Sequence, residues 1–341
     1  MVLKRLLSLM LLAFSVLSLV GCTERKTLFH YEQEASEHTI GFPMTMDDGF
    51  GHTLSLEKPA EIILCADTPS LSFCAAMNIL DRTYSLTSPE GELFRQVLSN
   101  NPSQLQPDLI LCTDTQNISS SIKDYYLLTG SASRLDTIMT SCINISSAFD
   151  LREDINILGR YCMNMKDKIM SLEAHIGFSE QKKVLFLNPK NSHMAAFTGS
   201  GHIINDILDT VGGRNALPEN LATDGSFVDY GEYYQDPLVA PDIIWIPFYS
   251  SYTANDIATD PIFADSPAVL NGQIYLFPGA LEPWYEPSPS AYCGMCWAMH
   301  NLHPDDYPLT EMKQDINGYY QLTVKQVFSL EEMGVLDNGA W

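Results

Sequence analysis

Short apolar runs alternate with amphipathic stretches along most of the chain. Residues 61–65 (Glu-Ile-Ile-Leu-Cys) form one such run, and the polar loop 66–70 follows. The pattern predicts a buried strand, a loop and a helix over 71–80. Pro107-Asp108 introduces a second run, 109–112, followed by the polar loop 113–117, and 141–145 reads as a third strand. The second half repeats the pattern, with strands expected at 183–187, 242–246 and 273–277. Their loops are 188–200, 247–254 and the Pro- and aromatic-rich 278–290. Helices are expected at 201–211, stopped by Gly212-Gly213, and at 292–301. Strands alternating with helices predict mostly parallel sheets covered on both faces. The carboxyl ends of such strands are where open α/β sheets bind ligands.

Residues 151–178 break this rhythm. Ile155, Leu158, Cys162, Met165, Ile169, Leu172 and Ile176 keep one helical face, with no proline between them. At about 1.5 Å per residue the helix would run about 40 Å, enough to cross a domain. A coiled coil would show the same spacing, but another α/β pattern follows directly, so a linking helix fits better.

The amino terminus carries a different signal. Residues 1–5 are basic, 6–20 are apolar apart from three serines, and the stretch ends Leu19-Val20-Gly21-Cys22. This length and flank suit an export signal rather than a membrane span. The polar stretch 23–39 reads as a tether.

Charge narrows the function classes. Lys and Arg number 19 against 42 Asp and Glu, a formal charge of -23, or -25 without residues 1–21. Such a chain repels nucleic acid and anionic lipid. Seven cysteines remain after Cys22, at 65, 74, 112, 142, 162, 293 and 296. An odd number cannot all pair within the chain. Several lie in apolar strings as small buried side chains. Cys293-Gly-Met-Cys296 is the single CxxC and has no second CxxC to complete a four-thiolate site, so a disulfide or thiol pair, or helix packing, are its readings. No HExxH, G-x-S-x-G elbow or strand-borne dinucleotide fingerprint occurs, which argues against an enzyme. His300 and His303 are an isolated i, i+3 pair.

Several segments together resemble one family. Leu19-Val-Gly-Cys22 resembles the bacterial lipoprotein processing motif. Residues 46–59, Leu105-Gln-Pro-Asp-Leu-Ile-Leu111 and Ala240-Pro-Asp-Ile-Ile-Trp-Ile246 resemble the opening hairpin and paired Pro-Asp strands of ABC-transporter substrate-binding lipoproteins for iron-siderophore, haem or cobalamin. Thr198-Gly-Ser-Gly-His202 with its helix and Gly-Gly-Arg-Asn215, then Pro261-Ile-Phe and 268–275, continue the likeness over roughly 45–310. The resemblance implies two Rossmann-like α/β lobes joined by one long rigid helix, with a ligand cleft between them. It divides the chain into a signal peptide (1–21), a lipidated tether (22–44), an N-terminal lobe (45–150), a bridging helix (151–178) and a C-terminal lobe with an extension (179–341). It implies lipidation at Cys22, anchorage to an extracytoplasmic membrane surface, and a monomer serving a permease and its ATPase.

The expected ligand is a bulky metal chelate, namely an iron chelate, haem or a corrinoid, with no resident cofactor. Its expected contacts are Asp67, Thr68, Asp114, Gln116, His193, Met194, Phe248, Tyr249, Tyr252, Trp284 and Tyr285, with Trp284 as the central aromatic anchor. Arginine is scarce in these loops, which disfavours a strongly anionic ligand. Relatives dock on permease arginines through one acid per lobe. Here the first-lobe loop 68–73 lacks the expected acid, so Glu90 or Glu92 and the second-lobe Glu232 are the candidates. A zinc- or manganese-binding transport lipoprotein and a surface adhesin or sensor lipoprotein are the alternatives.

Overall fold

The computed structural model describes residues 41–47, 53–99, 105–113, 125–128, 134–187, 195–197, 201–221 and 227–335, all within one compact unit, Ile40–Trp341. The expected lipidation site, Cys22, and the candidate contacts Asp114, Gln116, His193 and Met194 lie outside the described residues.

An antiparallel hairpin of β1 (Met44–Asp47) and β2 (Thr53–Leu56) opens the fold. The first sheet is parallel throughout. It contains β3 (Ile63–Cys65), β4 (Thr83–Ser85), β5 (Leu98–Ser99), β6 (Leu109–Cys112) and β7 (Tyr125–Leu127) in the order β5-β4-β3-β6-β7. Helix α1 (Thr68–Ala76) follows β3, and its residues are buried from Pro69 onward. The 141–145 segment is helical, not a strand: it belongs to α2 (Leu135–Ser146). Leu135, Ile138, Met139, Cys142 and Ile145 lie on one buried face, so helical spacing over twelve residues overrides a short β-branched run.

The second sheet holds β8 (Lys183–Phe186), β10 (Arg214–Asn215), β12 (Ile243–Pro247) and β13 (Ile274–Phe277), parallel in the order β10-β8-β12-β13. Beside it β9 (Ala195–Phe197) pairs antiparallel with β11 (Phe227–Asp229). Helix α4 (Ile203–Thr210) precedes β10, the short α5 (Ala254–Thr259) and α6 (Pro267–Leu270) follow β12, and α7 (Ala291–Leu302) follows β13.

The paired Pro-Asp dipeptides do the same work in both sheets. The Asp108 N–H donates to the Ile62 carbonyl, and Asp108 Oδ2 accepts the N–H groups of Glu61 and Ile62 at 3.0 Å. The Asp242 N–H donates to the Lys183 carbonyl, and its Oδ2 accepts the Lys183 N–H at 2.8 Å. Each aspartate thus satisfies backbone donors where two parallel strands begin, groups that would otherwise need water.

The long helix is α3 (Arg152–Glu173), about 33 Å by its 22 residues. Its buried face carries five of the predicted positions, Ile155, Leu158, Cys162, Met165 and Ile169; Leu172 is half-buried, and Ile176 lies beyond the end of the helix, which stops at Glu173. It packs on α2 from the first half and on α4 and α7 from the second. Lys166 is buried on this helix and is held by Asp136 of α2 at 2.8 Å.

A second helix joins the halves, and it lies in the part expected to be an extension of the C-terminal lobe. Helix α8 (Leu309–Thr323) packs on α7, on α3 and on α1 of the first half. Tyr161 of α3 donates to the Asp315 carbonyl at 3.0 Å, and Lys168 meets Glu311 and Asp315 at 2.7 and 2.6 Å. Gly318 permits this approach, because a Cβ there would fall 1.9 Å from the Tyr161 hydroxyl. The architecture is therefore a mixed α/β fold whose two sheets are linked by helices. One continuous apolar core runs from α1 and α2 through α3 to α7 and α8, and a separate one fills the far face of the second sheet.

Candidate functional site

Each sheet reverses its strand order once, between β3 and β6 in the first and between β8 and β12 in the second. Loops diverge at such a point and leave a crevice at the carboxyl ends of the strands. Asp67 and Thr68 leave β3 at the first reversal, and Phe248, Tyr249 and Tyr252 leave β12 at the second.

Asp67 is already committed. Oδ1 accepts from the Ser70 N–H at 2.9 Å and from the Ser70 hydroxyl, which caps α1. Oδ2 accepts from the Thr113 N–H at 2.8 Å and its hydroxyl at 2.9 Å. Four donors occupy the carboxylate, so Asp67 ties β3, α1 and the exit of β6 together rather than offering free oxygens. Replacing it with alanine should lower the unfolding free energy by about 2 kcal/mol, the upper range for a lost helix cap. Urea unfolding checks this; an unchanged midpoint would return Asp67 to the ligand contacts.

The loop after β13 was expected to present Trp284 to a ligand, and the structure corrects this. Residues 281–285 are buried, Trp284 completely so, and its indole N–H donates to the Tyr320 hydroxyl of α8 at 2.7 Å. Trp284 packs beneath the loop, with Phe277 and α7 close by, and presents no open face. Tyr285 keeps 7% of its surface exposed. Its ring ends an aromatic series that includes Phe186 at 5.9 Å and Phe277 at 6.0 Å, and Phe277 leads on to Trp297 and Trp245.

This loop also joins the two halves directly. The N–H groups of Glu92 and Leu93 donate to the carbonyls of Ala280 and Leu281 at 2.9 and 3.1 Å. Gly91, at φ +129°, lies against the loop so closely that a Cβ would sit 2.5 Å from the Leu281 carbonyl oxygen. Tyr249 donates to the same Ala280 carbonyl at 3.2 Å and packs edge-on against Phe248. One side of Phe248 is covered by the chain at Gly334.

Glu90 and Glu92 thereby come to lie beside the aromatic residues. Burial raises the Tyr249 phenol above its ordinary value, and Glu92 and then Glu90 add to the effect. Tyr285 is raised by burial first, with Glu286 and Glu90 contributing. Glu92 is exposed and paired with Arg95, while Glu90 is half-buried. Glu232 is exposed on the other half, in the turn after β11.

One buried group, Glu282, has no signal in the sequence. Glu282 is fully buried, and burial pushes its carboxyl up to about 7 against the opposing hydroxyls of Ser72, Tyr320 and Ser290. Those hydroxyls surround it, yet neither oxygen closes a hydrogen bond of ordinary geometry. Nothing in Leu281-Glu282-Pro283 signals such burial. His202 caps α4, its Nδ1 accepting the Ile204 N–H at 3.2 Å, and stacks on Phe197 with centroids 3.6 Å apart. Burial pushes its imidazole down to about 3. Its place at the helix start was legible from the Gly-rich loop before it. Among the described residues no three His, Cys, Asp or Glu side chains converge to hold a metal, and no helix is long and apolar enough to cross a membrane.

No protein-family profile and no curated sequence matches the chain. Solved structures do match its fold. A periplasmic solute binding protein from Veillonella parvula superposes with a TM-score of 0.66 at 18% identity, over 86% of this chain and 96% of its own. The Helicobacter pylori protein Ceue, solved with Ni(II) bound, gives 0.69 at 15% identity over 86% and 99%. The molybdate periplasmic binding protein MolA of a Haemophilus influenzae ABC transporter gives 0.69 at 14% identity over 84% and 99%. The chain thus has the fold of periplasmic solute-binding proteins.

Proposed function

We propose that this protein is the solute-binding lipoprotein of an ABC importer and captures a bulky, neutral or cationic metal chelate for delivery to the permease. The observation that carries the reading is the fold itself: helix-linked parallel sheets, matched nearly end to end by solute-binding structures, with aromatic side chains gathered where the two halves meet. Two rigid halves can bury most of a large ligand, while the linking helices keep closure small. In this reading the lobes are Rossmann-like, Cys22 carries the lipid, and the domain boundaries are those expected from the sequence.

The described contacts are Thr68, Phe248, Tyr249, Tyr252 and Tyr285; Asp114, Gln116, His193 and Met194 complete the proposed set. Tyrosines supply large flat area and a polar edge at low entropic cost. Glu90 and Glu92 beside Tyr249 oppose an anion such as molybdate. A free divalent ion needs several converging His and carboxylate ligands, a constellation that the described residues do not bring together. Glu92 with Glu90 on one half, and Glu232 on the other, are the proposed permease contacts.

Titration calorimetry of ligand-stripped protein tests this, using a ferric hydroxamate chelate, haem and a corrinoid against Zn²⁺, Mn²⁺ and molybdate. Saturable binding of one chelate is expected, weakened about tenfold or more by Tyr249→Ala, as for a truncated aromatic contact. Binding of free ions or molybdate alone would overturn the proposal.

A further inference from the structure

The CxxC motif directs attention to Cys293 and Cys296, yet the sulfur–sulfur contact recorded in the structure lies elsewhere. Cys65 and Cys74, nine positions apart, bring their Sγ atoms to 3.6 Å in the core of the first half. Cys65 ends β3 and Cys74 lies in α1, and both are fully buried and reduced. Backbone hydrogen bonds hold both in place. The Cys65 carbonyl accepts from the Leu86 N–H at 2.9 Å, and the Cys74 carbonyl from the Ile79 N–H at 3.0 Å. The chain between them carries the Asp67 cap and Pro69, so its path is set independently of the thiols. Side-chain rotation and a closure of about 1.5 Å separate this contact from a bond of about 2.05 Å.

The two cysteines of the CxxC occupy successive turns of α7 and lie near each other, but their sulfurs do not make the close contact that Cys65 and Cys74 make. Cys296 lies by Tyr307, and Cys293 lies by Glu282 and Cys162.

We propose that Cys65 and Cys74 are the site of an intrachain disulfide, installed by a dithiol–disulfide exchange catalyst or a small organic disulfide while the chain folds. One cysteine thiolate attacks the oxidant's S–S bond and expels one oxidant thiolate, leaving a mixed disulfide. The second cysteine thiolate attacks the chain sulfur of that mixed disulfide and expels the other oxidant thiolate. Two electrons and two protons pass from the chain to the oxidant, which leaves as two thiols. Burial raises the Cys65 thiol well above its ordinary value and excludes reagents, so exchange precedes the sealing of α1 onto β3. The bond would fasten α1 to β3 on either side of the short turn that carries Asp67 and Thr68, the latter a proposed ligand contact. The pairing rests on geometry alone; only its occurrence in the cell also rests on the exported reading.

The test refolds the full chain in oxidised and reduced glutathione, alkylates remaining thiols in denaturant, and maps peptides by mass spectrometry. Every cysteine except Cys65 and Cys74 should be alkylated, and those two should stay unalkylated within one peptide that takes up two labels only after reduction. Cys142→Ala should leave the linkage intact, and Cys74→Ala should leave Cys65 alkylated. Complete alkylation of Cys65 and Cys74, or a linkage of either to another cysteine, would overturn the proposal. The wild-type map decides the matter even where a variant fails to fold.

Discussion

Trp284→Ala should lower the unfolding free energy by about 4 kcal/mol, within the range for truncating a large buried aromatic. The side chain is wholly enclosed, and its N–H satisfies the Tyr320 hydroxyl in the core. Truncation would leave a cavity between the loop after β13 and α8, and would strip that hydroxyl of a donor. Trp284→Phe keeps much of the ring and loses only the hydrogen bond, so about 1–2 kcal/mol is expected. Denaturant unfolding measures both. Chelate titration of the folded fraction gives the contrast: affinity should change far less than stability. A variant with unaltered stability and strongly weakened binding would instead restore Trp284 as a ligand anchor. Such a result would also require the loop to rearrange, since the ring has no exposed surface as it stands.

The second large effect depends on pH. Glu282 has its folded-state value raised from 4.5 to about 7 by burial. A raised value means that the folded protein holds a proton which the unfolded chain releases. The group's stabilising share is therefore complete below pH 4.5 and is lost as pH rises through 7. The shift corresponds to about 3 kcal/mol. Glu282→Gln keeps the shape and the uncharged state, so it should abolish this loss and leave the variant more stable than wild type at pH 8. His202 acts in the opposite sense. Its depressed value makes stability fall as pH drops below 6.5, partly cancelling the Glu282 slope in the wild type. The informative quantity is therefore the difference between wild type and Glu282→Gln, from urea unfolding at intervals between pH 4.5 and 8. A difference that does not vary with pH would show that Glu282 is not held neutral by burial. Because the loop bearing Glu282 is hydrogen-bonded to Glu92 and Leu93, the same titration should be felt where the two halves meet.

Local patterns were legible wherever local physics sufficed. The strands beginning near Ile63, Leu109, Lys183, Ile243 and Ile274 follow their apolar runs, and the buried face of α3 follows its helical spacing. The paired Pro-Asp dipeptides marked strand starts because an aspartate there serves its neighbours' backbone donors. The 141–145 run misled because five residues of Ser, Cys, Ile and Asn suit either period; only the longer register from Leu135 reveals the helix.

The site was less legible, for one reason. Trp284, Glu282 and Asp67 all lie in loops whose composition resembles a binding surface, and what each side chain meets depends on distant segments. Trp284 finds Tyr320, Asp67 finds Thr113, and Glu282 meets Ser72 and Tyr320. Likewise the contact of Cys65 with Cys74 required α1 to fold back on β3. The sequence by itself determined the alternation of strands and helices, the long linking helix and the acidic balance, because these follow from periodicity and count. Only the tertiary structure decided which aromatics remain open, which acids lie beside them, and that α8 returns to bridge both halves. Those outcomes depend on long-range packing, as where Gly318 admits Tyr161 and Gly91 admits the Leu281 carbonyl, and no local pattern records which segments will meet.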